Sequence, residues 1–573
     1  MDEQLSFSGK KWTNRKDVSK QEALFDFLLE NLNVPKSELP SFFSPHFSHL
    51  HDPWIMSGMK NAISRILHAL KNKERIMIFG DFDTDGITST VILVSALREM
   101  GADVSYRIPH RKLDSHGLKK NILDEIFSKK VSLVMTCDCG INDTEELAYA
   151  RTLGMDTIVT DHHEPDPTIH TREAIAVLNP RLKECLYPEK NLSGAGIAFQ
   201  VVNALWDAFL ISLDGDQKIL FLKKYHSKEH FLKKYLELAA IGLIADCVPL
   251  RGENRIFAKL GLEQLKSTQW PGLRLMMQQA QIDVRTIDAE TVSFVLAPRL
   301  NASSRIGDVM KATELFLGTE KNHQLRLAQL EIFNEKRKHL TSLSFQKSLD
   351  QIHENASCQI LRDDTWDLGV LGLLASRHTE HLRVPVIAAA LRKDGFLAAS
   401  ARAPLGYSLI RAFQEHASLF HTFGGHDLAA GFVAKPSLFL EIQTALSVYF
   451  QSFSAVRQHE IFVSAFLNPA LFHFDLVDFL RLLGPFGAGN DRPIFGIRRV
   501  KIVDYTSVGT HRNHIKFTFS RDKKFFNSIA FFAENFLSYI QIDDTVDIAF
   551  TLSDSYWNGQ RRLEIRIVDM RRS

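Results

Sequence analysis

The sequence has few cysteines and little net charge. A disulfide framework is not expected from an odd, scattered set of five, so a reducing compartment is predicted. The five are Cys137, Cys139, Cys185, Cys247 and Cys358. The formal net charge is only +2 and the pI is about 8.1. Any nucleic-acid partner therefore requires positive charge that is gathered locally.

Long apolar runs, internal repeats and low-complexity tracts are missing as well. The first residues, Met1-Asp2-Glu3-Gln4, are polar and lack the apolar core of a signal sequence. No apolar run is expected to reach the length of a bilayer-spanning helix. We therefore expect a cytoplasmic protein with no membrane partner. At 573 residues, 45% of them hydrophobic, the chain exceeds what one core supports, so several domains are expected.

Short apolar runs alternate with amphipathic segments from about residue 73. Strands are predicted at 76–79, 104–108, 133–136, 157–160 and 174–178. Helices are predicted at 88–100 and 118–128. Because helices join parallel strands and cover both faces of their sheet, this alternation predicts an α/β domain with a parallel sheet. We place it at 51–250, after a polar N-terminal extension over 1–50.

The rest of the chain divides into three predicted regions. Residues 251–350 form a helical connector, in which apolar residues at helical spacing over 325–349 indicate a long, partly exposed helix. A second α/β domain is predicted over 351–457, with strands near 384–390 and 395–400. Short β-segments at 515–519, 546–552 and 563–567 predict a small β-barrel over 458–573.

Acidic residues gather directly after the first predicted strand. Asp81, Asp83 and Asp85 lie on an extended segment or tight turn, and Gly86 then leads into a helix near Thr88. That helix N-terminus could also seat a phosphate. A solvated acidic turn is the alternative, but three carboxylates at the end of a buried strand favour a divalent metal site.

A second acidic position, Asp138, follows another predicted strand between Cys137 and Cys139. The two cysteines are closer together than the usual structural-zinc pairs, and no second pair follows. We therefore interpret them as packing residues beside a functional aspartate.

The run Asp161-His162-His163 also follows a predicted strand. A lone histidine there would suggest an ordinary hydrogen-bonded core residue, but two beside an aspartate favour a functional site. Since consecutive side chains are expected to diverge, one histidine would bind metal and the other would face the substrate, with Asp161 orienting them. Asp246 ends an apolar helix, where a carboxylate is costly unless it is paired, metal-bound or exposed to water.

This constellation resembles the DHH phosphoesterase superfamily and, within it, the RecJ family of single-stranded-DNA exonucleases. Residues 80–86, Asp138, 161–163 and 244–249 match the family's motifs in order. Further similar segments are 179–180, 187–188, 194–196, 297–302 and Arg305. The likeness runs from about residue 50 to the end and identifies 51–250 as a DHH domain.

The later domains resemble the same family. Segments 369–372, 375–377, 385–386 and the glycine motif at 424–432 are similar to the DHH-associated DHHA1 domain. Segments 485–490 and 557–559 are similar to the RecJ OB-fold barrel. The sequence departs from the family pattern at Asp114-Ser115-His116-Gly117, where Glu-Gly-Tyr-Gly is common, and at Ser303-Ser304, Asp367 and Ala403. These departures concern substrate contacts rather than the predicted metal ligands.

The resemblance implies two ions, either Mn²⁺ or Mg²⁺, that would activate a water for attack on phosphorus. One ion is assigned to Asp83 and Asp138, with support from Asp81. The other is assigned to Asp85, Asp138, His162 and Asp246. Asp138 would thus bridge the ions, and His163 would contact the phosphate or donate a proton. The implied catalytic residues are Asp138, Asp161, His162 and His163.

The resemblance also implies a substrate site that holds the terminal nucleotide. Backbone amides of Gly424 and Gly425 could approach its phosphate, with side-chain donors nearby. The implied substrate-binding residues are Arg299, Asn301, Arg305, Ser400, Arg402, Gly424, Gly425 and His426. In the barrel, the candidates for holding the trailing strand are His511, His514, Lys516, Phe517 and Trp557.

The function that follows is a metal-dependent exonuclease that degrades single-stranded DNA in the 5′→3′ direction to mononucleotides, in repair and recombination. The 5′ polarity and the cellular role are implied by the resemblance alone. Single-stranded DNA is the expected partner, a single-strand-binding protein and a helicase are further candidates, and the chain is expected to be a monomer.

Other functions stay open. A short-oligonucleotide or cyclic-dinucleotide phosphodiesterase of the same superfamily would resemble the first two domains but would lack the terminal barrel. A pyrophosphatase would fit the metals but not the glycine motif. A non-catalytic, DNA-binding replication scaffold would require lost metal ligands, whereas every expected ligand is present here.

Overall fold

The computed structural model describes residues 5–573 apart from 15–20, 33, 112–113, 115, 167–172, 354, 454–458, 510–511 and 558–559. The strands are β1 (Lys10–Asn14), β2 (Ile76–Gly80), β3 (Val104–Arg107), β4 (Leu133–Cys137), β5 (Asp156–Thr160), β6 (Ala176–Leu178), β7 (Gln359–Arg362), β8 (Val386–Leu391), β9 (Leu397–Arg402), β10 (Thr422–Gly425), β11 (Ala429–Ala434), β12 (His459–Phe466), β13 (Ile494–Val508), β14 (His514–Arg521), β15 (Lys524–Ala530), β16 (Thr545–Trp557) and β17 (Gln560–Arg572).

The helices alternate with the strands in the first half of the chain and dominate its middle. They are α1 (Gln21–Asn31), α2 (Leu39–Phe43), α3 (Met59–Lys71), α4 (Thr84–Glu99), α5 (Lys120–Ser128), α6 (Thr144–Thr152), α7 (Gly194–Ser212), α8 (Gly215–Tyr225), α9 (Lys228–Ala245), α10 (Gly252–Leu265), α11 (Pro271–Gln279), α12 (Ala289–Thr291), α13 (Ala297–Ile306), α14 (Met310–Leu317), α15 (Glu320–Ser348), α16 (Leu371–Leu382), α17 (Leu409–Glu415), α18 (Phe439–Gln451) and α19 (Phe474–Leu483).

The chain divides into two compact units. The larger contains Leu50–Val248 and Leu260–Arg457, and it holds both α/β domains. The smaller contains Met1–His49, Pro249–Lys259 and Gln458–Ser573.

The first sheet of the larger unit is parallel, with strand order β3-β2-β4-β5-β6. Strands β2 and β4 are buried along their whole length, as apolar strands covered on both faces should be. Helices α4, α7 and α9 pack together, while α5 and α6 lie in a hydrophobic cluster with β2 residues Met77 and Phe79. The order of connections reverses between β2 and β4, and ligands in open α/β sheets bind at such a switch point.

Helix α4 begins earlier than the sequence predicts. The predicted start is near Thr88, but the helix begins at Thr84 because the Asp83 side chain accepts a hydrogen bond from the Gly86 N–H at 3.0 Å. Asp83 is thus the N-cap and Asp85 lies in the first turn. Asp85 therefore lies within the helix, not on the extended segment or tight turn expected for all three acids.

Helix α7 is long and apolar enough to cross a membrane by length and composition, with a mean hydropathy of 1.4 over its most apolar window. The expectation that no run reaches this length is wrong. However, 78% of that window is buried within the fold, as in the core helix of a globular domain.

The second sheet of the larger unit has the order β10-β11-β9-β8-β7. Its strands pair antiparallel except for β7 and β8. Helix α16 packs against β8 and β9, and the predicted long helix, α15, packs against α13 and α14. The glycine motif forms the hairpin β10–β11, so its backbone is placed by sheet pairing.

The smaller unit contains a closed five-stranded barrel. Strands β13, β14, β15, β17 and β16 follow in order, and β13 pairs with β16 to close it. Strands β12 and β1 extend the sheet in parallel, and Leu24, Phe27 and Phe42 pack into the barrel core. The prediction for residues 1–50 misses β1, because this short strand carries two lysines and pairs with a strand far away in sequence.

Candidate metal centre

Carboxylates and imidazoles meet at the carboxyl ends of the central parallel strands. Asp81 follows β2, Asp138 follows β4, and Asp161 to His163 follow β5. Two more carboxylates come from helix ends: Asp85 lies in the first turn of α4, and Asp246 is the C-cap of α9. The sheet's switch point therefore gathers residues that are far apart in sequence.

The predicted metal ligands form three overlapping groups whose donor atoms lie within 4.8 Å of one another. The groups are Asp81 with Asp83 and Asp138, Asp85 with His162 and Asp246, and Asp138 with His162 and His163. His162 Nε2 lies 3.0 Å from Asp138 Oδ1, 3.7 Å from Asp246 Oδ2 and 3.9 Å from Asp85 Oδ2. All six predicted ligands are thus brought together.

The N-terminus of α7 fixes Asp85 and restricts Asp138. The Gly194 and Ala195 amides donate to the two Asp85 carboxylate oxygens at 2.6 and 3.0 Å. A Cβ on Gly194 would lie 2.7 Å from the Asp138 Cβ, so only glycine fits there. Asp138 itself has φ +63, a left-handed conformation that costs energy for a non-glycine residue and is typical of functional sites.

The acidic group is short of positive charge. Burial and then the charges of neighbouring aspartates raise the pKa of Asp138 well above its usual range, that of Asp85 to about 7 and that of Asp246 to about 8. Within the described part of the chain, no lysine or arginine forms an ion pair with these three or with Asp83. Buried carboxylates without cationic partners favour a bound divalent cation.

Two buried atoms in the group lack hydrogen bonds. Among the described residues, Asp138 Oδ1 and His162 Nδ1 have no hydrogen-bond partner. Burial, followed by the charge of His163, lowers the pKa of His162 to about 3, so its ring is neutral and can act as a ligand. This donor set of hard oxygens with an imidazole fits Mn²⁺ or Mg²⁺.

Asp161 is occupied by hydrogen bonds and supports the site from behind. Its Oδ1 accepts from the His162 N–H at 2.7 Å and from His163 Nδ1 at 2.8 Å, and its Oδ2 accepts from the Ile141 N–H at 2.9 Å. Burial alone would lower the pKa of His163, but the hydrogen bond and charge of Asp161 raise it to about 9. The ring centroids of His162 and His163 lie 4.6 Å apart, so the expectation that these two side chains diverge is wrong.

Three half-buried arginines lie near the acidic group. Burial, followed by the charges of Arg111, Arg402 and Arg337, lowers the pKa of Arg305 to about 9. Burial also lowers the pKa of Arg111 and of Arg402. In the described residues, Arg111, Arg305 and Arg402 form no ion pair with a carboxylate. Buried guanidinium groups without counter-ions favour binding of an anion such as phosphate.

The second α/β domain brings one of its predicted residues, His426, beside His163. The His426 ring lies parallel to that of His163, with centroids 6.4 Å apart and an interplanar angle of 7°. Arg402 Nη1 donates to the Ala401 carbonyl at 2.8 Å and lies 3.4 Å from Ser400 Oγ. Gly424 and Gly425 are exposed on the hairpin, and nothing lies within 4 Å of a Cβ built on Gly424.

Some predicted substrate residues are engaged elsewhere. Arg299 forms an ion pair with Glu331 at 2.8 Å. Asn301 Oδ1 accepts a hydrogen bond from Thr84 Oγ1 at 3.0 Å, so Asn301 supports the start of α4. Arg305 Nη1 donates to the Gly369 carbonyl at 3.2 Å, which joins α13 to the second α/β domain.

The structure agrees less with the barrel residues that are predicted to hold the trailing DNA strand. Phe517 is only 1% exposed and belongs to the core, so its predicted role in base stacking is wrong. His514 packs against Phe531 and Phe532. Lys516 is exposed. The prediction for His511 and that for the Trp557 side chain lie outside the described residues.

Arg111 was missed from the sequence, and His116 was noted only as a departure from the family pattern, although a signal exists. Both follow β3, whose end lies at the same sheet edge as those of β2 and β4. The Arg111 guanidinium lies 4.8 Å from the centroid of Phe82. His116 Nδ1 lies 3.0 Å from Asp81 Oδ1.

Family models match three parts of the chain. These are the DHH family N-terminal domain over 75–243, the DHHA1 domain over 355–452 and the RecJ OB domain over 463–569. The bounds of the five regions predicted from the sequence stay predictions.

Several relatives match nearly the whole chain. The single-stranded-DNA-specific exonuclease RecJ of Escherichia coli is 30% identical over 532 residues, which cover 90% of this chain and 90% of that protein. RecJ of Haemophilus influenzae is 31% identical over 484 residues, covering 81% and 82%. RecJ of Bacillus subtilis is 29% identical over 530 residues, but the chain spans only 64% of its length.

Solved structures agree with these matches. The crystal structure of RecJ with Mn²⁺ from Thermus thermophilus has a TM-score of 0.79 and 28% identity, covering 100% of this chain and 80% of that one. The Mg²⁺ complex from the same organism has a TM-score of 0.73 with 28% identity, covering 98% and 78%.

The parallel sheet with its acidic strand ends, followed by a DHHA1 domain, defines a metal-dependent phosphoesterase of the DHH class. Identities of 30% and 31% over most of both chains then specify the family. This chain belongs to the RecJ family of single-stranded-DNA-specific exonucleases. The predicted fold class, family and choice of Mn²⁺ or Mg²⁺ are confirmed, whereas the roles of individual site residues stay predictions.

Proposed function

We propose that this chain hydrolyses single-stranded DNA from the 5′ end to mononucleotides, with Mn²⁺ or Mg²⁺ held by the acidic group. One observation carries the proposal: within the described residues, the acidic group and three half-buried arginines that form no ion pair with a carboxylate lie in the same unit. The acids suit the cations, and the arginines suit the phosphates of the substrate.

The carboxylates and His162 would hold two ions in the proposed site. When bound, the ions would acidify a water and neutralise charge on the phosphoryl oxygens. Asp138 belongs to two of the ligand groups, so we assign the bridging position to it. Asp85 is already held by two amides, so little side-chain freedom remains to be lost on binding.

His163 is assigned to the phosphate or to the leaving group. Its pKa of about 9 means that the ring is protonated at neutral pH while Asp161 accepts from Nδ1. A positively charged ring can donate a hydrogen bond to a phosphate oxygen or a proton to the departing oxygen. Its parallel neighbour, His426, is assigned to the phosphate as well.

Arg111, Arg305 and Arg402 are assigned to the terminal phosphate. Recognition of a terminal phosphate restricts cleavage to a chain end, which is the property that defines an exonuclease. The family resemblance supplies the choice of the 5′ end.

The activity is tested with single-stranded DNA labelled at either end, in the presence of Mn²⁺. We expect labelled mononucleotide to appear first from the 5′-labelled strand, with much slower hydrolysis of duplex DNA, short RNA, cyclic dinucleotide and pyrophosphate. Asp138→Ala should abolish release, while Asp103→Ala, at an exposed surface ion pair, should not change it. Intact DNA binding without hydrolysis of any substrate would instead support a scaffold.

The end selectivity has a separate test. Arg402→Ala should raise KM for 5′-phosphorylated DNA by about 10-fold or more, because a charge-assisted hydrogen bond is worth about 1.5–3 kcal/mol. The KM for 5′-hydroxyl DNA should change far less. Arg392→Ala, at an exposed ion pair in the same domain, is the matched control. Equal losses on both substrates would contradict the assignment.

The cellular role is proposed to be DNA repair and recombination in the cytoplasm, with a single-strand-binding protein and a helicase as partners. We also propose a monomer. Light scattering after size-exclusion chromatography tests the oligomeric state, and a mass of twice that of the chain would contradict it.

A further inference from the structure

His116 provides the hydrogen bond that Asp81 receives in this structure. Asp81 is buried, with its side chain 7% exposed, whereas the His116 side chain is 52% exposed. Within the described residues, His116 Nδ1 at 3.0 Å is the only hydrogen-bond partner of the Asp81 carboxylate. Because a carboxylate only accepts, Nδ1 carries the proton and donates to Oδ1.

Asp81 needs such a partner because its neighbours repel it. It lies in one ligand group with Asp83 and Asp138, and burial followed by the charge of Asp81 raises the pKa of Asp83. A carboxylate without a fixed partner in this position would rotate away from the other two. A donor on one oxygen leaves the other oxygen free to face a cation.

The loop that carries His116 is anchored close to the ring. Gly117 has φ +78, and a Cβ there would lie 2.7 Å from the carboxylate oxygens of Asp143. Asp143 Oδ2 also accepts a hydrogen bond from the Leu118 N–H at 2.7 Å. The ring meets Phe82 and His163 with centroid distances of 6.1 and 5.7 Å. The imidazole is therefore placed by packing as well as by its hydrogen bond.

We propose that His116 is a positioning residue that fixes the Asp81 carboxylate for the ion shared with Asp83 and Asp138. The proposal rests on the metal site of the proposed function. A tyrosine commonly occupies this position in the family pattern, so the imidazole–carboxylate pair is a feature of this chain. Loss of an outer hydrogen-bond partner of this kind lowers metal affinity by about 10- to 100-fold.

Binding of Mn²⁺ to the full chain without DNA tests the proposal, with free Mn²⁺ measured by electron paramagnetic resonance. His116→Phe keeps the ring packing and removes the donor, and His116→Gln moves the donor to the position of Nε2. Both should weaken one Mn²⁺ site by about 10-fold or more. His116→Asn places a donor near the position of Nδ1. Its Mn²⁺ affinity should stay within about threefold of that of the unchanged chain, a smaller change than the loss expected of the other two variants.

Asp138→Ala separates failure of this inference from failure of the metal site. If Asp138→Ala removes Mn²⁺ binding while all three His116 variants bind normally, the role of His116 is wrong and the site stands. If Asp138→Ala binds normally, the proposed site itself is wrong. An increase in KM for DNA in His116→Phe with unchanged Mn²⁺ affinity would make His116 a substrate contact and would also overturn the proposal. Thermal unfolding of each variant verifies that it is folded.

Discussion

The two units bury charge in opposite ways. The larger unit buries aspartates that have no lysine or arginine as ion-pair partners in its described residues. The smaller unit buries Arg255, 2% exposed, and partly buries Lys259, and the described residues supply neither with a carboxylate. Among the described residues, Asp138 keeps one oxygen without a hydrogen bond, whereas Arg255 donates through Nε and Nη2 to backbone carbonyls and only its Nη1 lacks a partner.

The cations of the smaller unit lie at the carbonyl ends of two helices. Arg255 donates to the Phe42 carbonyl of α2 at 3.2 Å and, beyond α19, to the Gly484 carbonyl at 2.6 Å. Lys259 donates to the Phe43 and Leu482 carbonyls at 3.2 and 3.1 Å. Helix C-termini carry partial negative charge and unpaired carbonyls, so they stabilise cations without an acid.

The difference separates a structural charge from a functional one. The arginine donates to carbonyls at the ends of two helices within the folded chain, so it holds these helices together. Within the described residues the aspartates of the acidic group have no lysine or arginine partner, and their mutual repulsion is relieved when divalent cations bind or when protons are taken up. Buried charge alone therefore does not mark a site, whereas several acids gathered without a lysine or arginine partner favour one.

The largest effect that tests this comparison is expected from Asp138→Asn. Several kcal/mol of metal-assisted stabilisation should be lost, so kcat/KM on single-stranded DNA should fall by about 10³-fold or more. The metal-free protein should become more resistant to urea, because one buried like charge is removed. Loss of both activity and metal-free stability would contradict the distinction, since it would make Asp138 structural.

A smaller effect, on stability, is expected from Arg255→Met. Carbonyls that lose a buried donor cost about 1–3 kcal/mol each, so the free energy of unfolding should fall by about 3 kcal/mol. Arg255→Lys should recover part of this loss, because the charge at the helix ends is kept. Urea unfolding measures both variants, and an unchanged midpoint in Arg255→Met would show that the guanidinium is not a structural tie.

The pH dependence of metal-free stability should differ between the two regions. The folded pKa values of Asp85 and Asp246, about 7 and about 8, lie above the unfolded value of about 3.9, so their contribution is full at low pH. It should be lost as the pH rises from about 4 to about 8.

Lys259 should act in the opposite direction. Burial, and then the charge of Arg255, lowers its pKa to about 8, below an unfolded value of about 10.4. Its contribution is present at high pH and is lost as the pH falls through about 8. Thermal unfolding in EDTA should therefore show a minimum of stability near pH 8, which Lys259→Met should flatten on its alkaline side. A continuous rise in stability from pH 4 to pH 8 would contradict the account.

The smallest effect is expected from Arg251→Ala. This arginine is exposed and donates to a single carbonyl, that of Gly489. Removal of one exposed contact should change the free energy of unfolding by less than about 1 kcal/mol. A loss as large as that of Arg255→Met would show that burial does not separate the two residues.

The site residues at the strand ends could be predicted from the sequence, because each directly follows its own strand in the chain. Asp81, Asp138 and Asp161 each follow an apolar run, and parallel strands bring their ends to one edge. The start of α4 could not be predicted in the same way, because it depends on Asp83 folding back to cap Gly86. His116 and Arg111 were missed because their loop contains no acidic motif, although it follows β3 at the same edge.

Contacts between distant segments account for other features that the sequence does not reveal. Strand β1 is recognisable only from its pairing with β12. The sequence indicates Arg299 as a substrate-binding residue, but in the fold it forms an ion pair with Glu331 of α15. Phe517 fits the alternation of apolar and polar residues in a strand. The sequence does not show which of these side chains point into a closed barrel.

Anomalous diffraction at the manganese edge, from crystals grown with MnCl₂, tests the central claim most directly. The account predicts two Mn²⁺ peaks that share Asp138, one bound with Asp83 beside Asp81 and one with Asp85, His162 and Asp246. Absence of manganese at Asp138 in a protein that still degrades single-stranded DNA in the same buffer would contradict it.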